Sequence, residues 1–204
     1  MLNDFKFAIR RLFKTPGFTV SAVIVLALGI GVNTAVFDIV HTLLFAPPAF
    51  SKPAELVQVF SQDKKNATAY RGFSYPTYRD IRDGNDVFMD VLGWKLSIIG
   101  LGQKGNTHRS VAAIVSSNYF SVLGVQMARG RAFLPEEEIP GRAVSVAVVS
   151  YEYWQRNNLD PGVLGSEILI DGRPFTVVGI APRGFNGTSQ LASISVWYHS
   201  APIT

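Results

Sequence analysis

The chain has 204 residues, enough for one medium-sized domain or two small ones together with a further segment. Its net charge of +4 is split evenly, since residues 1–50 carry four basic and two acidic side chains and residues 51–204 carry fifteen and thirteen. The larger part therefore lacks the basic excess that nucleic-acid binding requires, and the absence of cysteine excludes disulfides and thiolate metal sites.

The first fourteen residues combine basic and apolar side chains at helical spacing. Lys6, Arg10, Arg11 and Lys14 alternate with apolar residues such as Phe5 and Ile9. A basic amphipathic helix of this kind lies in the surface of a membrane rather than across it. We therefore predict an interfacial helix over residues 1–14 on the cytoplasmic leaflet.

The next segment contains a run of 20 residues, Phe18–Phe37, without a charged side chain. As a helix this run spans ~30 Å, which matches the hydrocarbon core of a bilayer. The alternatives are a helix buried in a protein core and a cleaved signal peptide. A signal peptide has a shorter apolar region, of about 7–15 residues. We predict a transmembrane helix over residues 15–45. The basic residues before it orient the N-terminus toward the cytoplasm and place the chain after about residue 45 on the outer side of the membrane.

Small residues recur within the predicted span at intervals of four. Ala27, Gly31 and Ala35 would line one side of the helix, and Asn33 lies near its outer end. Small side chains let a second transmembrane helix approach closely, and an amide can hydrogen-bond across the contact. We predict that these four residues take part in packing against another membrane helix, although alanine and glycine are also simply common in such segments.

Prolines at 47, 48 and 53 mark a linker over residues 46–54, and a folded domain is predicted over residues 55–204. Ser74 is placed to cap a helix over residues 75–84, in which Arg79 and Asp83 are spaced for an i,i+4 ion pair. The other predicted strands and helical segments are Glu55–Ser61, Val91–Gly100, His108–Ser116, Asn118–Leu123, Val144–Ser150, Tyr151–Asn157 and Ser193–Tyr198.

The clearest local signal is the dipeptide Asp171-Gly172 between two β-rich runs, Glu167–Ile170 and Arg173–Ile180. Such a dipeptide predicts a hairpin with a type I′ turn. Pro174 has no N–H to donate, which predicts a sheet edge on its side. The predicted class is α+β, with a mixed and mostly antiparallel sheet in one domain or in two subdomains divided near residue 130.

Motifs of catalysis and cofactor binding do not stand out. The sequence contains no H-E-x-x-H, no G-x-S-x-G and no P-loop. Gly100–Gly105 fits G-x-G-x-x-G, but a strand rather than a helix is predicted to follow, which favours a turn between strands. Glu136, Glu137 and Glu138 are predicted to lie on a solvated loop or helix start rather than to bind a metal. We predict no cofactor and no enzymatic activity; a secreted enzyme would need a nucleophile and base to meet around Ser150 or His108.

The order of short motifs along the chain resembles MacB-type (FtsX-like) ABC transporter permeases, in particular the orphan branch without an ATPase of its own. The segment Ala27–Ala35 is similar to the first membrane helix of that group. The motifs that resemble its periplasmic core domain are Ser117–Phe120, Leu123-Gly124, Gly130-Arg131, Phe133, Val146–Ser150, Trp154, Arg156, Leu164-Gly165, Ile168, Ile170, Gly172, Phe175–Pro182 and Gly184-Phe185.

The resemblance implies a non-catalytic permease component in a bacterial inner membrane, which couples the movement of a cytoplasmic ATPase to a periplasmic domain for export. It implies an ABC-type ATPase subunit, a sister permease chain and a periplasmic adaptor as partners. Three further membrane helices are typical of the family and are not found before Thr204, so we expect a truncated or degenerate member. The alternative function is a membrane-anchored binding or scaffolding module without an ATPase.

Overall fold

The computed structural model describes residues 14–45, 50, 53–63, 66–103, 106–139, 144–189 and 192–199. The chain divides into two compact units, residues 1–47 and residues 48–204. The predicted interfacial helix over residues 1–14 lies outside the described residues, except for its last position.

The first unit contains one long helix, α1, over Pro16–Phe45. None of its described side chains is buried, including bulky ones such as Phe18 and Val25. The hydroxyl groups of Thr19 and Ser21 donate to the carbonyls of Thr15 and Gly17, at 3.0 and 2.9 Å, so they are satisfied without water. Pro16–Asp38 is long and apolar enough to cross a membrane, judged by length and composition. The helix predicted from the uncharged run is therefore present.

The second unit begins with a short turn and a small hairpin. Pro53–Glu55 forms a 3-10 turn, and β1 (Ser61–Asp63) pairs antiparallel with β2 (Asn66–Arg71). The predicted strand over Glu55–Ser61 is wrong, because residues 56–60 adopt no regular structure. Its valines and phenylalanine favour a strand, but this stretch has no pairing strand in the described part of the chain.

Helix α2 covers Tyr75–Asp83, as predicted. The Ser74 hydroxyl accepts from the N–H of Thr77 at 3.4 Å and caps the first turn. Arg79 and Asp83 form the expected i,i+4 pair with an N–O distance of 3.8 Å. Gly84 ends the helix by donating its N–H to the carbonyl of Asp80.

The remaining strands form a seven-stranded sheet in the order β5-β8-β6-β9-β4-β3-β7. The strands are β3 (Trp94–Gln103), β4 (Asn106–Val115), β5 (Arg129–Gly130), β6 (Val146–Val149), β7 (Glu167–Ile170), β8 (Arg173–Ile180) and β9 (Val196–Tyr198). Strand β7 also pairs with β8, so the sheet closes on itself like a small barrel. Only β4–β9 and β6–β8 are parallel among the described pairs, which confirms the mixed, mostly antiparallel class.

The hairpin β7–β8 has the predicted turn. Asp171 and Gly172 both have positive φ, 49° and 78°, as a type I′ turn requires. The edge predicted from Pro174 is wrong for the strand as a whole, since β8 lies between β7 and β6. Pro174 itself is tolerated because the pairing with β6 begins only at Thr176, two residues further on.

Two short helices follow strands of this sheet. Helix α3 (Tyr119–Val122) follows β4, and α4 (Tyr151–Arg156) follows β6. Ser150 is buried and its hydroxyl accepts from the N–H of Tyr153 at 3.0 Å, so it serves as the N-cap of α4.

Two apolar clusters cover the two faces of the sheet. The inner cluster takes side chains from all six strands of the closed sheet, with Tyr153 and Trp154 of α4 packed against them. The outer cluster surrounds Trp197, Phe120 and Phe185. Strands on both sides of residue 130 share this one sheet, so a division into two subdomains at that position is not observed.

Candidate functional site

The predicted packing face of the membrane helix is exposed in the structure. Ala27, Gly31 and Ala35 follow one another at intervals of four residues on the continuous helix α1. A Cβ added at Gly31 would meet nothing within 4 Å. Since each residue advances about 100° around a helix, Asn33 lies on nearly the opposite side from Gly31 and Ala35. The role of all four residues in helix packing stays a prediction.

Sequence reasoning missed a polar contact that holds the α2 segment to the sheet. We call the five residues Asp90, Ser116, Ser117, Asn118 and Glu138 the polar joint. They come from the loop after α2, the end of β4 and the 3-10 turn Pro135–Glu138. Three segments far apart in sequence therefore meet there.

Asn118 is the centre of the polar joint. Its amide nitrogen donates to Asp90 Oδ1 at 2.9 Å and to the carbonyl of Val91 at 3.0 Å. Its amide oxygen accepts from the hydroxyl of Ser116 at 2.6 Å, and that hydroxyl accepts from the N–H of Gly93 at 2.9 Å. One side chain thus links the chain leading from α2 to the end of β4.

Glu138 provides the second connection. Its Oε2 accepts from the backbone N–H and the hydroxyl of Ser117, at 2.9 and 2.5 Å, and lies 3.9 Å from a guanidinium nitrogen of Arg82 at the end of α2. The other oxygen, Oε1, is buried and has no hydrogen-bond partner among the described residues. Burial, together with the charge of Glu138, raises the pKa of Tyr75 to about 12, so the tyrosine stays neutral beside this carboxylate.

The neighbouring Glu137 stabilises the same turn. It is buried and accepts from both terminal nitrogens of Arg131, at 2.6 and 3.1 Å, and from the N–H of Leu134 at 2.8 Å. Burial acts to raise the pKa of Glu137, but the bonds from Arg131 and Leu134 outweigh it and lower the pKa. The prediction that Glu136, Glu137 and Glu138 are solvated is therefore correct only for Glu136, because the other two face protein groups rather than water.

His199 is buried at the end of β4, next to Val115. Its ring lies 4.1 Å from that of Phe133, centroid to centroid, and its Nδ1 lies 2.6 Å from the carbonyl oxygen of Val115. Burial lowers the pKa of His199, although the Val115 carbonyl and the charges of Glu138 and Glu137 act in the opposite direction. The imidazole is therefore neutral near pH 7, with Nδ1–H as the donor to the carbonyl.

The polar groups of this region connect segments of the protein to one another. Every polar group of the joint described above, apart from Glu138 Oε1, is directed at another protein group. A hint was present in the sequence, since the Ser116-Ser117-Asn118 run follows directly on an apolar strand. The partners of this run could not be identified from the sequence, because Asp90 lies 28 residues before Asn118 and Glu138 lies 21 residues after Ser117.

The model of one family, described as the MacB-like periplasmic core domain, matches residues 19–201. The match covers most of α1 and the second unit with its seven-stranded sheet, which we call the sheet domain. A curated relative, the macrolide export ATP-binding/permease protein MacB of Burkholderia thailandensis, is 34% identical over 85 residues, which is 41% of this chain and 13% of that protein. The chain thus matches only a small part of the length of this relative.

Two solved structures share the fold. The periplasmic region of MacB from Actinobacillus actinomycetemcomitans has a TM-score of 0.54 at 14% identity, over 69% of this chain and 62% of that chain. The extracellular domain of the noncanonic ABC-type transporter YknZ from Gram-positive bacteria has a TM-score of 0.53 at 15% identity, over 69% of this chain and 70% of that chain.

Proposed function

Because the chain belongs to the family of MacB-like periplasmic core domains of ABC transporter permeases, we propose that it is a non-catalytic permease component that transmits movement from an ATPase to this domain. The observation that carries the proposal is the extent of the family match. It runs without interruption from the apolar helix into the sheet domain. A helix and a domain joined in one polypeptide are what mechanical transmission across a membrane needs.

The proposed orientation rests on charge. The four basic residues before α1 favour a cytoplasmic N-terminus by the positive-inside rule, and the residues after about 45 then lie in the periplasm. A span free of charged side chains can shift against a neighbouring helix without breaking buried ion pairs. We place the chain in a bacterial inner membrane on this basis.

The polar joint supports transmission within the domain. The α2 segment is the first helix after the linker over residues 46–54, and the joint ties it to β4 and to the 3-10 turn. The bonds made by the buried residues Ser116 and Ser117 resist displacement, because breaking them leaves enclosed polar groups unsatisfied at a cost of about 1–3 kcal/mol each, whereas the bond between Asn118 and Asp90 is exposed. A pull on the linker would thus reach the closed sheet through the joint instead of merely unravelling α2.

We propose three partners: an ABC-type ATPase subunit, a sister permease chain and a periplasmic adaptor. The sister chain would contact α1 on the side of Ala27, Gly31 and Ala35, where small residues let two helix backbones approach closely. Asn33 lies on nearly the opposite side of the helix and would contact a different neighbour or the lipid interface.

The test is affinity purification of the full chain from its native membrane in a mild detergent. An ABC-type ATPase and a second permease chain are expected to co-purify. Gly31→Leu should sharply reduce the amount of the second permease chain that co-purifies, because a large side chain would separate α1 from the helix of that partner.

Gly29→Leu is the matched control. It adds the same side chain to the same helix, in equally open space, about 200° around the helix axis from Gly31. It should leave the recovery unchanged. Recovery of neither partner would count against the proposed function and would favour an anchored binding or scaffolding module, and equal effects of the two variants would refute the assignment of the face.

A further inference from the structure

A cleft of about 550 Å³ opens at one end of the closed sheet, away from the residues of the polar joint. We call it the basic cleft. It lies between the β3–β4 hairpin and the end of α4, and the lining residues that matter here are His108, Arg109, Ser110, Tyr153, Arg156 and Ser195. Its volume falls within the range of about 300–1,000 Å³ that is typical of small-molecule sites.

The wall of the basic cleft is held in place by hydrogen bonds. The hydroxyl of Ser110 donates to that of Ser195 at 2.7 Å, across 85 residues of sequence. The backbone of Ser195 donates to the carbonyl of Val111 and accepts from the N–H of Ser150, both at 2.9 Å. Because Ser195 Oγ accepts the bond from Ser110, its own proton remains to be donated to a ligand from a fixed position, with little ordering needed on binding.

The charge of the basic cleft is unbalanced. Arg109 and Arg156 line it, no carboxylate does, and neither arginine forms an ion pair with any acidic residue that the structure describes. The charge of Arg156 also acts to lower the pKa of Tyr153, although burial raises it by more, so this guanidinium lies near the phenol. A guanidinium pairs with carboxylate or phosphate through two parallel hydrogen bonds.

The carbonyl groups at the end of α4 could oppose an anion, because the C-terminus of a helix carries partial negative charge. They are already engaged in the turn that follows. The carbonyls of Tyr153, Trp154 and Gln155 accept from the backbone N–H groups of residues 157–159. Arg156 adds a positive charge at the same position, so the local field is not that of an open helix end.

We propose that the basic cleft binds a small anionic ligand through a phosphate or carboxylate group, with Arg109 and Arg156 as the charged contacts and the hydroxyls of Ser195 and Tyr153 as neutral ones. This proposal rests on the cleft alone and does not depend on the coupling function. Free anions and the headgroups of anionic lipids share this chemistry.

The experiment is calorimetric titration of the full chain in an uncharged maltoside detergent, at constant ionic strength set with sodium chloride. The probes are inorganic phosphate, citrate and glycerol 3-phosphate, the last of which represents a lipid headgroup. Saturable binding of at least one probe is expected. Tighter binding of glycerol 3-phosphate than of the other two would indicate the lipid source, and the reverse order would indicate a free anion.

The variants Arg109→Gln and Arg156→Gln should each weaken binding about tenfold or more, as loss of a charge-assisted hydrogen bond implies. Arg183→Gln is the control, because Arg183 is also exposed and lies outside the cleft. Tryptophan fluorescence of each variant verifies that it is folded. Absence of saturable binding by all three probes, or an equal loss in the Arg183→Gln control, would overturn the proposal without affecting the coupling function.

Discussion

Replacing Glu137 by glutamine removes a negative charge from the turn beside the polar joint and keeps the size of the side chain. The carboxylate accepts three hydrogen bonds, two from Arg131 and one from the N–H of Leu134. A glutamine has one acceptor oxygen, and its NH2 group would face one of these donors. A hydrogen bond to a charged group contributes about 1.5–3 kcal/mol.

The size of the effect depends on how well the separated partners are solvated. The side chain of Arg131 is 44% exposed and that of Glu137 only 6%. The guanidinium therefore regains water when the carboxylate is lost, which argues against the larger losses of fully buried pairs. We expect Glu137→Gln to lower the free energy of unfolding by about 2 kcal/mol, near the middle of that range.

Urea denaturation of the full chain in detergent, followed by tryptophan fluorescence, measures this loss. All three tryptophans of the chain, at positions 94, 154 and 197, lie in the sheet domain, so the signal reports this domain and not α1. A loss of ~2 kcal/mol should move the midpoint by about 1 M urea. Glu136→Gln is the matched control, because Glu136 is the exposed neighbour of Glu137, and it should change the midpoint very little.

The dependence on pH gives a second check. The folded-state pKa of Glu137 is lowered, so the stability that its charge contributes is present above the ordinary glutamate range and is lost as the pH falls through the folded-state value. The difference between the wild type and Glu137→Gln should therefore be full at pH 7 and shrink on acidification below that range. Equal midpoints for Glu137→Gln and Glu136→Gln at pH 7, or a difference that does not change with pH, would refute this reasoning.

Two further predictions concern the joint and the sheet. Asn118→Ala removes both bonds to the Asp90–Val91 loop, so backbone hydrogen exchange should become about tenfold faster in α2 and stay unchanged in β6. Asn85→Ala is the control, because the Asn85 side chain bonds only within its own loop. Unchanged exchange in α2 of Asn118→Ala would contradict the role of the joint. Gly179→Ala should cost about 1–3 kcal/mol of stability in the same urea assay, because the new Cβ would lie 2.2 Å from the carbonyl oxygen of Arg131. Gly72→Ala adds the same methyl group in open space and should have little effect, and equal losses in the two variants would count against this packing argument.

Much of the local structure could be predicted because its causes are local. The uncharged run Phe18–Phe37, the cap at Ser74 and the Asp171-Gly172 turn each contain their own physical reason within a few residues. The class followed from the sum of such elements. The family resemblance carried the functional inference, since no single residue type in the sheet domain points to a reaction.

The features that prediction missed depend on partners far away in the sequence. Residues 56–60 have the β-branched and aromatic composition of a strand, but a strand exists only where another one pairs with it. Because β7 and β8 pair and close the sheet, Pro174 lies in an internal strand. It is tolerated there because the pairing of β8 with β6 begins only two residues later, at Thr176. The sequence pattern contains the period of each strand and not the order of the strands.

Only part of the candidate site could be predicted from the sequence, for the same reason. The spacing of Ala27, Gly31 and Ala35 could be read from the sequence, because the geometry of a helix is fixed by its own hydrogen bonds. The polar joint and the basic cleft could not, because Asn118 and Asp90 are 28 residues apart and Ser110 and Ser195 are 85 apart. The sequence by itself determined the elements whose cause lies within a few residues, such as α1, the cap of α2 and the Asp171-Gly172 turn. Only the tertiary structure decided which strands pair and which polar groups are buried together, since pairing and burial are properties of the packed chain and not of any one segment.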